Sequence, residues 1–211
     1  MTVRRDNNFI WITWLPDIMT GDKSCLWGPW FRAHFQNYEK MPSDFNEAVW
    51  KLDHSRLMQQ LLAEQPGEKI HVQDQNKFRY VRESGLTVSG VPDLVIQSGR
   101  DTTVYDAKTG QPRTSHQMQV MLYMYFLPQC LAEYRGMALK GCVVYKTHRV
   151  PIPADAIDEK FAGNVHYFLD VLDSDAPPLR VPSEQDCRFC DITKADCPER
   201  VDSATISEAE S

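Results

Sequence analysis

Two short apolar segments with acids at matched positions constrain this chain more than any other feature. Val91-Pro92-Asp93-Leu94-Val95-Ile96 and Thr103-Val104-Tyr105-Asp106-Ala107-Lys108 flank Ser98-Gly99-Arg100-Asp101, residues suited to a chain reversal. With the reversal centred between Gly99 and Arg100, Asp93 and Asp106 stand opposite each other across an antiparallel pair. Side chains alternate along a strand, so Lys108 shares the face of Asp106. The other face carries Leu94, Ile96, Tyr105 and Ala107 and needs a helix to cover it.

Facing carboxylates repel and cost stability unless something cationic sits between them. Oxygen ligands of this kind suit Mg²⁺ or Mn²⁺ better than a thiophilic metal. Such an ion activates water and clamps a phosphate oxygen. Lys108 is then placed to orient or deprotonate that water, or to stabilise charge on the reacting phosphate. The bland alternative is a solvated surface hairpin. The register match and the covering helix favour a divalent-metal phosphodiester centre.

The segments around the hairpin read as follows. Residues 8–38 are rich in aromatics and predict helix, interrupted at Thr20-Gly21-Asp22. Ser43 or Asp44 is a candidate cap for an amphipathic helix running to about Glu64, ended by Gln65-Pro66-Gly67. Strands are predicted over 70–82, 86–97, 102–108 and 141–150, and helices over 114–126, stopped at Pro128, and 154–172. The expected fold class is α/β: one central mixed sheet flanked by helices, without the strict alternation of a doubly wound fold. His116, Gln119 and Tyr123 share one face of the 114–126 helix. Met118, Met121, Leu122 and Tyr125 are candidate core.

The 42% apolar and 25% charged composition is that of a globular chain. No run approaches the length of a membrane span, and the N-terminus lacks the pattern of a secretory signal, so a cytoplasmic location is expected. The net charge of −6 argues against nucleic acid at first sight. Eight acids and three bases, however, fall in 183–211, which leaves the first 182 residues near neutral. The end of the chain, 201–211, is expected to be a disordered acidic tail.

In a reducing compartment the six cysteines are not expected to form disulfides. Cys187, Cys190 and Cys197 lie within eleven residues. Three thiolates in one loop need a fourth ligand for tetrahedral Zn²⁺ or a [4Fe–4S] cluster, and Cys25 supplies it if the chain ends meet. Cys130 and Cys142 read as core thiols. The aromatics near Cys25 are expected to bury such a centre.

Pro92-Asp93 followed by Asp106-Ala107-Lys108 resembles the signature of PD-(D/E)XK nucleases, and Gln119 with Tyr123 resembles the Q-x-x-x-Y motif of their RecB-like branch. The cysteines, one early and three late, resemble the iron–sulfur subset of that branch, which includes the CRISPR-associated Cas-four family exonucleases and AddB-type helicase–nucleases. The likeness spans about 25–197. It implies a restriction-endonuclease-like core in one domain over 1–200, whose terminal segments, 20–35 and 183–200, are joined by a [4Fe–4S] cluster on Cys25, Cys187, Cys190 and Cys197, with Zn²⁺ the lesser alternative.

The resemblance further implies a DNA exonuclease acting on single strands or frayed ends, with endonuclease action also open. Mg²⁺ or Mn²⁺ would be held by His54, Asp93, Asp106 and the Ala107 carbonyl, with Lys108 catalytic. His54 is chosen over Glu47 and His34 for its place in the 44–64 helix. Gln119 and Tyr123 would contact substrate, and Arg113, Lys146 and Arg149 are candidate phosphate contacts. Partners would be DNA and proteins of CRISPR adaptation, phage or recombination systems, with no membrane. Two rivals remain: a catalytically silent nucleic-acid-binding module of the same fold, and a zinc or iron–sulfur interaction protein.

Overall fold

The computed structural model describes residues 1–43, 45–64 and 67–202. Asp44, Gln65, Pro66 and the tail from 203 onward lie outside the described residues. The elements in chain order are β1 (Val3–Arg4), β2 (Phe9–Trp11), α1 (Pro16–Met19), α2 (Trp27–His34), β3 (Phe35–Gln36), α3 (Glu47–Ala63), β4 (Lys69–Val72), β5 (Phe78–Val81), β6 (Thr87–Gly90), β7 (Leu94–Ser98), β8 (Asp101–Lys108), α4 (Thr114–Cys130), β9 (Lys140–Tyr145), β10 (Arg149–Ile152), α5 (Glu159–Asp173) and α6 (Glu184–Arg188). Among the described residues, no helix is long and apolar enough to cross a membrane.

The main sheet is mixed, in the order β10-β9-β8-β7-β4, with β8 and β9 parallel and the other pairs antiparallel. The hairpin β7–β8 has the expected register, with Leu94 opposite Tyr105 and Ser98 opposite Asp101. Gly99, at φ +59°, supplies the left-handed backbone of its turn. One face of the sheet presents Leu94, Ile96, Ala107, Cys142 and Val144, which pack with Leu57, Met58 and Leu61 of α3. The alternate residues Val95, Val104 and Val143 join the larger core on the other side, together with Val120 and Phe126 of α4. Two helices therefore sandwich the hairpin that carries the acids.

The approach of α4 is close. A Cβ at Gly141 would lie 2.6 Å from both Val120 and Met124 side-chain atoms, so the absence of a side chain on β9 sets the height of α4 over the sheet.

Several expectations need correction. The strands form three sheets instead of one: β2-β6-β5 and β1-β3 stand apart from the main sheet. The strand expected over 86–97 is two strands, β6 and β7, in different sheets. The break falls at Val91-Pro92, where proline offers no N–H to a ladder. The strand expected over 70–82 divides likewise into β4 and β5, with Gln73 at φ +39° and the buried Asn76 side chain holding the intervening turn through the His71 carbonyl and Tyr134. Residues 141–150 form parts of the hairpin β9–β10. Phe9–Trp11 is strand, not helix. Helix α3 is capped by Asn46, whose side chain accepts from the Val49 amide, not by Ser43. Helix α4 continues through Pro128 to Cys130, because the fully buried Phe126 and Leu127 anchor it to the core just before the proline. Asp202 pairs with Lys194 and Arg200, each at 2.9 Å.

Candidate active site

The acids meet at one end of the β7–β8 hairpin. Asp93 precedes the first ladder pair of β7, and its carboxylate replaces a backbone partner: Oδ2 accepts from the Ala107 amide at 2.8 Å. The same oxygen lies 3.0 Å from His54 Nε2. His54 thus reaches over the sheet end from α3, and the Asp93 carboxylate raises its pKa against the opposing effect of burial.

Asp106 lies against Gln119 of α4 and is 3% exposed. Lys108 Nζ stands 2.7 Å from Asp106 Oδ2, although that oxygen lacks the alignment of a hydrogen bond. Burial pushes the Asp106 carboxyl up to about 6, despite the nearby Lys108 charge. Gln119 links the parts: Oε1 accepts from Lys108 Nζ at 2.9 Å, while Nε2 donates to Asp106 Oδ1 at 3.3 Å and to Tyr123 Oη at 3.0 Å. Tyr123 is 2% exposed and donates to the Val91 carbonyl at 3.3 Å, so it braces Gln119 from below and does not itself reach the surface.

The rejected alternatives lie elsewhere. Glu47 pairs with Lys51 on the first turn of α3, and His34 is fully buried with Nε2 on the Leu172 carbonyl. Of the candidate phosphate contacts, Lys146 pairs with Asp53 and Arg149 with Glu64. Both border a groove between α3 and the β9–β10 hairpin. Arg113 is exposed and lines a separate cleft with Lys23, Thr114 and Phe189.

The donor set fits a hard divalent cation by chemistry: two carboxylates and one imidazole, with one buried carboxylate oxygen lacking a hydrogen bond. As folded, the carboxylates face His54, the Ala107 amide and Lys108, so the charge is compensated within the protein. Consistently, among the described residues no group of three or more His, Cys, Asp and Glu side chains is converged as a ready metal cage.

Cys25, Cys187, Cys190 and Cys197 line one cavity together with Trp27 and Arg180. Burial raises the Cys197 thiol, and the charges of Cys190, Cys25 and Cys187 add to the effect, as their proximity requires. The ends of the chain are also tied without any ligand. Thr2 Oγ1 donates to Asp196 at 2.9 Å, the Ser24 amide to Asp186 at 3.2 Å, and Arg32 meets Asp191 at 3.2 Å. Cys142 is buried and Cys130 half-buried, where burial holds its thiol up to about 11.

Sequence reading missed Arg200. Its guanidinium donates to the carbonyls of Cys190 and Cys187, each at 2.8 Å, and of Ile192 at 2.9 Å, while Nε pairs with Asp202. An arginine three residues after a cysteine carries no signal of this, because its partners are backbone atoms. Tyr145 was also missed. It lies beside Lys108 across the β8–β9 ladder, with its hydroxyl 3.0 Å from His116 Nδ1. Burial and the Lys108 charge hold His116 down to about 4, so its imidazole is neutral near pH 7.

A hairpin end with two acids and a lysine, backed by a glutamine-bearing helix, is the arrangement of a metal-dependent phosphodiesterase. A sequence model of the PD-(D/E)XK nuclease superfamily matches residues 29–195, and the chain belongs to that superfamily. Its members are generally metal-dependent nucleases that act on DNA with Mg²⁺ or Mn²⁺. No curated protein matches the chain. Among solved structures, the crystal structure of SSO0001 aligns with a TM-score of 0.48 and 16% identity, over 95% of this chain and 90% of that one.

Proposed function

We propose that the chain is a DNA exonuclease of the RecB-like iron–sulfur branch, resembling the Cas-four family, which acts on single strands or frayed ends in a CRISPR-adaptation, phage or recombination setting. The observation that carries the nuclease reading is the linked set Asp93–His54 and Asp106–Lys108–Gln119–Tyr123 at one end of a single hairpin.

Asp93, Asp106, His54 and the Ala107 carbonyl are the groups that would hold Mg²⁺ or Mn²⁺. A bound ion of this kind supplies an acidified water and a counter-charge for the phosphate. The rest is the work of the chain. Lys108, whose Nζ stands 2.7 Å from Asp106 Oδ2, would present that ammonium to the attacking water or to a non-bridging phosphate oxygen. Gln119 holds Nζ on that line, and Tyr123 fixes Gln119. Attack of the water on phosphorus forms one P–O bond as the ester P–O bond breaks; the proton the water gives up passes to solvent, and the leaving oxygen takes one from solvent.

The iron–sulfur part rests on the four thiols lining one cavity. Cys25, Cys187, Cys190 and Cys197 would ligate a [4Fe–4S] cluster, with Zn²⁺ as the alternative for the same thiolate set. Purified anaerobically, the protein should be brown and contain iron and sulfide. Colourless protein with one zinc assigns the other ion.

The nuclease reading is tested on end-labelled single- and double-stranded DNA with Mn²⁺ and with EDTA. D93A and K108A should each lose cleavage by about 10³-fold while the far-UV spectrum stays that of a folded chain at the assay temperature. Cleavage unchanged in both variants, or retained in EDTA, sinks the assignment, and a parent protein that binds DNA in Mn²⁺ without cutting it leaves a binding module.

A further inference from the structure

The N-terminal end of α3 carries an aromatic patch that the chemistry above does not use. Phe45 and Trp50 keep 63% and 39% of their surfaces exposed, with ring centroids 6.1 Å apart. Trp50 also stacks on the His54 ring, at 5.1 Å between centroids and 29° between planes. His54 in turn lies 3.0 Å from Asp93. The patch is therefore continuous with the carboxylate centre. Trp50 lies one turn before His54, on the helix face that runs on into the buried Leu57 and Leu61.

Trp50 covers the His54 ring and leaves the rest of its own surface in solvent, and the still more exposed Phe45 adjoins it. The rings reach Asp93 through His54, so a base flanking a phosphate at Asp93 and Asp106 lies beside them. Aromatic side chains beside a phosphate-handling centre bind bases through their faces, with little regard to sequence. In a duplex those faces are covered by neighbouring bases, so only an unpaired or frayed nucleotide offers one.

We propose that Phe45 and Trp50 form a stacking platform for an unpaired nucleobase next to the phosphodiester held at Asp93 and Asp106. The proposal rests on the nuclease reading and deepens it, because the platform selects single-stranded ends. Stacking adds about tenfold to binding per engaged base. The platform contributes to substrate binding, and Lys108 and the acids remain the reacting groups.

The test uses the full chain and two dye-labelled single-stranded oligonucleotides of equal length, one intact and one with abasic residues at its terminal positions. Binding is read by fluorescence anisotropy with Ca²⁺ in place of the catalytic ion, and cleavage separately with Mn²⁺. The parent protein should bind the intact strand about tenfold more tightly. W50A should bind both strands as the parent binds the abasic one, while W50F keeps most of the preference. F45A, which does not disturb the contact with His54, should lose part of it. A loss of affinity caused only by a displaced His54 would lower binding of both strands equally and leave their ratio intact. A ratio that survives in W50A and F45A overturns the platform while the nuclease reading stands. Failure of the parent to bind or cut intact single strands overturns both.

Discussion

Around the carboxylates, each functional side chain sits on a regular element or at its end: β8, the mouth of β7, the middle of α3 and the first half of α4. Around the cysteine cavity the thiols sit on loops and on the five residues of α6, and the elements that meet there come from opposite ends of the chain. The first centre is rigid because a sheet sandwiched by two helices fixes it. The second lies where loops pack on Trp27 and Ile192 at the edge of the core, joined across the chain ends by individual polar contacts of Arg200, Asp186 and Asp191. Chemistry at the acids and stability at the cysteines should therefore come apart under mutation.

The largest separation is expected at Arg200. R200A leaves three carbonyl oxygens of the cysteine loop without their donor, for a loss of about 3 kcal/mol of stability. R200K should recover little, since an ammonium lacks the planar fork that spans Cys187, Cys190 and Ile192. Urea unfolding measures the loss. Below the unfolding transition the cleavage rate of R200A should stay close to that of the parent. Equal loss of rate and stability would mean that the two centres form one unit and would break the comparison.

Within the carboxylate centre a smaller effect is expected. Y123F removes the hydroxyl that braces Gln119 but keeps the ring in the core, so about tenfold in rate and about 1 kcal/mol in stability should be lost. Q119A, which frees Lys108 Nζ and uncovers Asp106, should cost more rate than Y123F. The reverse order would mean that Tyr123 reaches the substrate directly.

The same division explains what was legible in the sequence. The hairpin register followed from the spacing of Asp93 and Asp106, because strand side chains alternate and a turn fixes pairing. The placement of Leu94, Ile96, Tyr105 and Ala107 toward a helix followed too, as did the shared helix face of Gln119 and Tyr123. Sheet membership was not legible. Whether β6 and β7 continue one strand or part into two sheets depends on what lies beside them, and β6 pairs with Phe9–Trp11 from the far end of the chain. An aromatic run such as Phe9-Ile10-Trp11 fits a helix or a strand until that neighbour is known. Arg200 was invisible for a related reason: its partners are carbonyls, which every residue has.

The smallest expected effect concerns the proton on Asp106. Burial lifts this carboxyl to about 6 from the usual 3.8. The folded chain thus holds the proton more tightly than the unfolded chain, and the metal-free fold loses stability as pH rises from about 4 through about 6. A divalent cation needs the ionised carboxylate, so it competes with that proton. Apparent Mn²⁺ affinity should weaken by up to about tenfold per pH unit below about 6. The rise in thermal midpoint given by millimolar Mn²⁺ should accordingly be small near about pH 5 and reach a plateau above about pH 7. In K108A, where the charge that favours ionisation is gone, the same curve should shift to higher pH. In D106N the part of the curve that belongs to Asp106 should be lost, leaving the part set by His54, whose pKa Asp93 raises. A Mn²⁺ effect whose pH dependence is unchanged in D106N would place the cation away from Asp106 and leave Asp93 and His54 to hold it.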